Sequence, residues 1–368
     1  MARYELSVSP DYVPNWTEVE AVRELFQNAL DSEGEMNWEY SNETLTISSK
    51  DSYLDKSTLL FGITSKAKDK GAIGHFGEGY KLAFLVLARL GYKVDVHNQA
   101  CKEHWEPKII KSKRYGSDLL VVDISKVLFS SKLLVFHIKG LKQETFDKIC
   151  ESNLHIKPVA TYAETQFGSI IDGSDFKGKI FIKGLYVCTK PDLEYGYDIL
   201  PQYLQTNRDR NLVTDFDIKW ITSQIWADID KPMAVSKMVK DEIPDITYIN
   251  SFSKKGLNEV MYAEFTSMHG KYAIPVVDQE EYDLIKKNYK KLKPVFVKPL
   301  EKEIVYSGCA SLSIGYEAMR TKATRRIDSR KPEDVLTEFF KINKYDMKDK
   351  VKSKFKKLIE LSKDWALK

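Results

Sequence analysis

The chain has 368 residues, of which 43% are hydrophobic and 30% are charged, and its formal net charge is +4. This length is sufficient for two domains, and the composition is that of an ordinary globular protein. No apolar run approaches the roughly 20 residues of a membrane helix, and residues 1–10 lack the basic start and apolar stretch of a signal peptide. The four cysteines form no Cys-x-x-Cys pair. We therefore expect a cytoplasmic protein with reduced thiols and no membrane partner.

The net charge is unevenly distributed along the chain. Residues 281–368 carry +10, so residues 1–280 carry −6. A basic C-terminal part favours a partner surface there, for DNA or for a protein, although a solvated lysine-rich face would have the same composition.

The first third of the chain alternates strand and helix patterns. Residues 4–9 alternate in hydrophobicity and predict a strand. Residues 17–32 predict a helix, because Thr17 and Glu20 form a capping-box pair at its start. Two strands are predicted next, at 37–40 and 44–48. A glycine-rich turn at 71–79 then leads into a helix at 80–90 that is apolar nearly all round and is expected to be buried.

Strand patterns dominate from there to about residue 190, and helices follow. The predicted strands cover 93–96, 119–124, 133–138, 179–182 and 185–188, with one helix at 144–153. Beyond residue 216, helices are predicted at 218–226, 257–268, 280–292, 333–342 and 348–367, with strands at 272–277 and 294–297. We expect an α/β sandwich over residues 1–213, with a mixed, largely antiparallel sheet and helices on one face. A mostly helical α/β region over residues 214–368 should follow.

Three polar side chains fall on one face of the first predicted helix. At about 100° per residue, Glu24, Asn28 and Asp31 form a narrow stripe opposite the apolar face. An amide oxygen in such a group can hold Mg²⁺, and a carboxylate can polarise a water molecule. Taken alone, the stripe is more typical of a solvated helix face.

The run from Gly74 to Gly79 (Gly-His-Phe-Gly-Glu-Gly) places three glycines before a helix. Glycine allows close approach of a ligand to the backbone, and free N–H groups at a helix start bind phosphate. The spacing is neither that of a Walker loop nor that of the dinucleotide fingerprint.

In order and spacing, these motifs resemble the GHKL superfamily, which includes gyrase subunits, ninety-kilodalton chaperones, sensor histidine kinases and MutL proteins. The run from Glu24 to Asp31 resembles the family motif Glu-x-x-x-Asn-x-x-Asp, and the run from Gly74 to Val86 is similar to the chaperone glycine motif with its following helix. Residues 45–48 stand where the family has the strand before its Asp-x-Gly-x-Gly motif. The resemblance implies a Bergerat-type ATP-binding fold and ATP hydrolysis with Mg²⁺.

The resemblance also implies roles for individual residues. Glu24 would be the general base, Asn28 would bind Mg²⁺, and Asp31 would line the nucleotide pocket. Residues 50–73 would form a lid that closes over ATP. The glycine run and nearby lysines would contact the phosphates; these residues are Gly74, His75, Phe76, Gly77, Glu78, Gly79, Lys66, Lys68, Lys70 and Lys81. Within the run, His75 is expected to shape the loop. Lysines in a solvated loop are more often surface residues without such a role.

One motif departs from the family pattern. The family has an aspartate that reads the adenine amino group, followed by two glycines. Here Asp51 is the best candidate, but it is displaced and the glycines are absent. The departure leaves open a reshaped pocket, another nucleotide, or a degenerate site.

A polar turn at 207–210 contains Arg208 and Arg210. Arginine suits phosphate contact and transition-state charge, and families of this type complete the site with a basic residue from the adjoining domain. A structural Arg–Asp pair is the alternative.

Three functions remain open from the sequence. The first is an ATPase, chaperone-like or gyrase-like, in which lid closure moves the C-terminal region and drives dimerisation. A histidine-kinase relative is disfavoured, because no phosphoacceptor hairpin precedes the pocket. The third is a non-catalytic nucleotide- or nucleic-acid-binding module. Cys101 and His104 have too few neighbouring ligands in the sequence to predict a zinc site.

Overall fold

The computed structural model describes residues 1–32, 34–60, 73, 78–204, 214–254, 256–308, 332–343 and 347–362. The chain divides into two compact units. The first contains Met1–Ile229 and Glu242–Ser253, and the second contains Asp230–Asp241 and Lys254–Lys368. The predicted boundary between residues 213 and 214 falls inside the first unit.

A seven-stranded sheet forms the framework of the first unit. Its strand order is β1-β6-β5-β4-β7-β3-β2, and every neighbouring pair is antiparallel. The strands are β1 (Ala2–Glu5), β2 (Met36–Ser41), β3 (Thr44–Lys50), β4 (Lys93–Asn98), β5 (Glu103–Lys111), β6 (Asp118–Lys126) and β7 (Leu133–Lys139). The expected mixed α/β class with a large, mainly antiparallel sheet is therefore confirmed.

Three helices pack against one face of this sheet: α1 (Glu18–Leu30), α2 (Gly79–Arg89) and α3 (Gln143–Glu151). Alternate strand residues such as Ile47, Val96 and Phe136 supply the sheet side of the core, as the period of two in a strand requires. The helix α2 is buried along residues 82–87, as its all-round apolar pattern predicts.

A second sheet of five strands completes the first unit, in the order β11-β10-β12-β9-β8. Its strands are β8 (Thr161–Thr165), β9 (Gly168–Ile171), β10 (Lys179–Ile182), β11 (Leu185–Thr189) and β12 (Gly196–Ile199), and α4 (Asp215–Asp228) follows them. The buried Asp245 carboxylate accepts hydrogen bonds from the Glu194 and Tyr195 amides and from the Tyr197 hydroxyl.

The second unit is mainly helical. It contains α5 (Pro232–Lys240), α6 (Leu257–His269), α7 (Gln279–Asn288), α8 (Pro299–Ser307), α9 (Pro332–Asn343) and α10 (Asp349–Ser362), together with the parallel strands β13 (Ala273–Val276) and β14 (Lys293–Phe296). The predicted strand–helix–strand unit at 272–297 is confirmed by β13, α7 and β14. Among the described helices, none combines the length and apolar character needed to cross a membrane.

Candidate functional site

The site is built on α1, whose start is fixed by the capping box expected from the sequence. The Thr17 hydroxyl accepts a hydrogen bond from the Val19 amide at 3.2 Å, and the Glu20 carboxylate accepts one from the Thr17 amide at 2.7 Å. The apolar face of α1 enters the core through residues such as Val22 and Phe26. This phase turns Glu24 and Asn28 away from the sheet core.

Glu24 nevertheless has no exposed surface, because the opposite face of α1 is covered by the start of α2. Gly79 is the first residue of α2. A Cβ atom on Gly79 would lie 2.6 Å from Oε2 of Glu24 and 3.0 Å from Nδ2 of Asn28. The structure therefore brings Glu24, Asn28 and Gly79 together, and the close approach requires glycine at this position.

The Asn28 side chain is oriented by its own helix. Its Nδ2 donates to the backbone carbonyl of Glu24 at 2.8 Å. In this orientation the amide oxygen is the atom that remains for a ligand, and oxygen is the donor that Mg²⁺ prefers. Glu24 and Asn28 thus present a carboxylate and an amide to the amino end of α2, where the helix dipole favours anions.

Asp31 lies at the C-terminal end of α1, and its side chain is fully buried. Its two carboxylate oxygens accept from the amide of Ile73 at 2.9 and 3.1 Å. Lys183 Nζ lies 3.7 Å from Oδ1 of Asp31 and donates to the Leu30 carbonyl at 2.9 Å. Asp31 therefore fixes the backbone of Ile73, immediately before the glycine run.

A small recess opens beside these residues within the first unit. Sequence reasoning did not single out its lining side chains, which are Arg23, Gln27, Ile73, Ile182, Leu185, Tyr186 and Val187. Arg23 and Gln27 are one helical turn apart on α1, so the helical period that identifies the predicted stripe also places them side by side.

Lys81 is buried, and its ammonium group is directed at the segment before the predicted glycine run. Its Nζ donates to the carbonyl oxygens of Thr58 at 2.5 Å and Leu60 at 2.9 Å. Burial lowers the pKa of Lys81, and the nearby Glu78 carboxylate opposes that shift. Glu78 is itself buried and precedes α2 as its N-cap residue.

Asp51 is not drawn into this group. It follows β3 with a positive φ of 52°, and Lys132 Nζ lies 3.2 Å from its carboxylate. The side chain is 46% exposed. Ser49 instead occupies the helix-facing position at the end of β3, because it is buried and alternates with Leu45 and Ile47. Strand alternation counted back from Ile47 would have identified Ser49 from the sequence.

The remaining predicted site residues lie outside the described residues. They are Lys66, Lys68, Lys70, Gly74, His75, Phe76, Gly77, Arg208 and Arg210.

Comparison with protein-family models and with curated proteins finds no match for this chain. The functional assignment therefore depends on the motifs and on the geometry around α1 and α2.

Proposed function

We propose that the chain is a Mg²⁺-dependent ATP-binding protein and ATPase, with a Bergerat-type sandwich in its first unit. The observation that carries the proposal is the buried Glu24 carboxylate beside Asn28, both in close approach to Gly79 at the amino end of α2. A buried carboxylate facing a helix N-terminus, next to an oxygen donor, suits a site that binds phosphate oxygens and a hard cation.

In this proposal each residue has a distinct task. The Asn28 amide oxygen would hold Mg²⁺, which would neutralise charge on the phosphates. Glu24 would accept a proton from the attacking water, the role of a positioned general base. Gly79 keeps the backbone of α2 close to both groups, since any larger residue would displace them.

The predicted lid has anchored flanks. Lys81 holds the carbonyls of Thr58 and Leu60, and Asp31 holds the amide of Ile73. Residues 61–72 of this lid lie outside the described residues. We propose that the predicted lid, residues 50–73, closes over ATP and that closure is transmitted to the C-terminal region, with DNA, a protein or a second copy of the chain as partner.

The test compares Glu24→Gln with Glu18→Gln, a control carboxylate on the same helix outside the polar stripe. Calorimetry measures Mg·ATP binding, and phosphate release measures turnover. We expect Glu24→Gln to bind ATP with nearly unchanged affinity and to hydrolyse it about 10²–10⁴-fold more slowly, the usual contribution of a general base. The control should do both like the wild type. Wild-type turnover in Glu24→Gln would refute the role of Glu24, and absence of binding in the wild type would refute the whole proposal.

Base recognition is expected to be weak in this site. A carboxylate accepts hydrogen bonds only, whereas the Ser49 hydroxyl both donates and accepts. The helix-facing position on β3 therefore does not demand an amino group on the base. We expect ATP and GTP to bind within about tenfold of each other, a difference of about 1.4 kcal/mol, measured by calorimetry. A preference for ATP of several hundredfold would show that another residue reads adenine.

A non-catalytic module that binds nucleic acid is the second candidate, favoured by α10. This helix carries five lysines, four of them exposed, at positions 350, 352, 354, 356 and 357. A lysine-rich helix binds phosphate backbones through counterion release, so affinity falls steeply with salt. Absence of DNA binding at low salt would exclude this candidate.

A further inference from the structure

A second group of potential ligands lies on the face of the large sheet opposite α1 and α2. Three of the six histidines of the chain, His97, His104 and His137, stand on the adjacent strands β4, β5 and β7. The ring centroids of His97 and His104 are 5.0 Å apart, and those of His97 and His137 are 5.1 Å apart. Residues far apart in sequence are thus gathered on one surface.

Two carboxylates join this group. Nε2 of His104 lies 3.2 Å from Oδ1 of Asp95. One ligand atom from each of Asp95, His104 and Glu106 lies within 4.8 Å of the other two. Zinc–ligand bonds of about 2.0–2.2 Å place tetrahedral ligand atoms about 3.3–3.6 Å apart, so side-chain movements of about 1 Å would close the group around an ion.

We propose that Asp95, His104 and Glu106 form a binding site for a divalent transition-metal ion of the zinc type. Imidazole nitrogen with carboxylate oxygen suits Zn²⁺, whereas Mg²⁺ and Ca²⁺ take oxygen ligands. The ion would stand between His104 Nε2 and Asp95 Oδ1, and His104 would bind it as the neutral tautomer that carries its hydrogen on Nδ1. Water would complete the coordination of the ion.

The surrounding contacts orient the ligands. Lys139 Nζ lies 2.8 Å from Oδ2 of Asp95, whereas Oδ1 lies nearer to His104 Nε2, at 3.2 Å, than to Lys93 Nζ, at 3.8 Å. Such outer contacts fix the orientation of a metal-binding carboxylate. Glu106 stands opposite Asp123 on β6, but Asp123 is bound by Arg3 and by Lys108.

Glu106 is therefore available for a ligand. Within the ranges that the structure describes, its carboxylate makes no hydrogen bond or ion pair, although the side chain is half-buried. His104 and Glu106 are two residues apart on β5 and share one face of the strand, but Asp95 reaches them only through the pairing of β4 with β5, which the sequence spacing does not reveal.

The test titrates the full-length, chelator-treated chain with Zn²⁺ by calorimetry, and with Co²⁺ by visible absorption, in the absence of nucleotide. We expect one saturable Zn²⁺ equivalent at this site, weakened at least about tenfold in Glu106→Gln and in His104→Gln. Glu106→Gln keeps the shape of a half-buried side chain and is the variant least disruptive to folding.

Glu39→Gln is the matched control, since Glu39 is on the same sheet face, on strand β2. It should bind Zn²⁺ like the wild type, and so should Glu24→Gln, which separates this site from the proposed nucleotide site. The proposal is overturned if the wild type shows no saturable Zn²⁺ binding. It is also overturned if both ligand variants keep the wild-type affinity, because the ion would then be held elsewhere, for example by cysteine thiols.

Discussion

Replacing Gly79 with alanine tests whether the first turn of α2 truly abuts Glu24. The added methyl would lie 2.6 Å from Oε2 of Glu24 and 3.0 Å from Nδ2 of Asn28. Both distances are shorter than van der Waals contact. Glu24 has no exposed surface into which it can turn, so the strain must be taken up by packed neighbours.

The expected cost follows from two opposing effects. Overpacking by a methyl group typically costs about 1–3 kcal/mol. Alanine is favoured over glycine in a helix by about 0.5–1 kcal/mol, which offsets part of that cost. We therefore expect Gly79→Ala to lower the free energy of unfolding by about 1–2 kcal/mol.

A double-mutant cycle attributes the cost to the carboxylate. In a Glu24→Ala background the closest contact is absent, and Gly79→Ala should then change the free energy of unfolding by less than about 0.5 kcal/mol. The coupling between the two positions should be about 1–2 kcal/mol, which is within the range found for residues in contact. Urea unfolding of all four proteins measures it.

The control background is Glu18→Gln, in which the cost of Gly79→Ala should equal that in the wild type. An equal cost in the wild-type and Glu24→Ala backgrounds would refute the reasoning, because the strain would then not involve Glu24. The cycle requires no nucleotide, so its outcome tests the site geometry separately from ATP hydrolysis.

Two further substitutions test other contacts of the first unit. Lys81→Met should lower the free energy of unfolding by about 1–3 kcal/mol, because it leaves the carbonyls of Thr58 and Leu60 without their donor. Limited proteolysis should also show faster cleavage near residue 60, and an unchanged free energy of unfolding would contradict the stabilising role of Lys81. Asp123→Asn should lower the free energy of unfolding by about 1–2 kcal/mol at pH 7. Hydrogen bonds from Arg3 lower the pKa of Asp123 to about 2, although burial opposes this shift, so the charged carboxylate stabilises the folded state. This stabilisation is fully present above the unfolded-state pKa of about 4 and is lost as the pH falls towards 2. The free energies of unfolding of the variant and the wild type, measured with urea, should therefore converge between about pH 4 and about pH 2.

Elements with strong local signals could be predicted from the sequence. The capping box of α1 and the all-round apolar pattern of α2 identify both helices within one or two residues. The sheet strand β5 (Glu103–Lys111) was missed, because it contains Pro107 and four charged residues. Proline disfavours an inner strand, but Pro107 pairs with Val122 of β6 and lies beyond Glu103–Trp105, the part of β5 that pairs with β4. The proline is accommodated where β5 has one sheet neighbour.

The first strand shows a different limit. Residues 4–9 alternate, but β1 spans Ala2–Glu5. Leu6 and Val8 still face the core, and both form backbone hydrogen bonds with Leu120. Alternation therefore identified the inward-facing residues correctly, whereas the strand ends depend on pairing with β6, which no local pattern encodes.

A single backbone angle explains why the side chain of Asp51 lies apart from the group around Glu24. Asp51 has the same parity as Ile47 and Ser49, so an uninterrupted strand would turn its side chain towards the helices. The strand instead ends at Lys50, and Asp51 takes a left-handed φ of 52°, a conformation that aspartate tolerates better than most residues. The turn directs the carboxylate towards Lys132, and Ser49 becomes the last polar side chain of β3 on the helix-facing side.

The catalytic half of the proposed site thus follows from helical periodicity, a local pattern that can be recognised in the sequence. The base-recognition half depends on where one strand stops, and that is decided by the pairing of β3 with its neighbours.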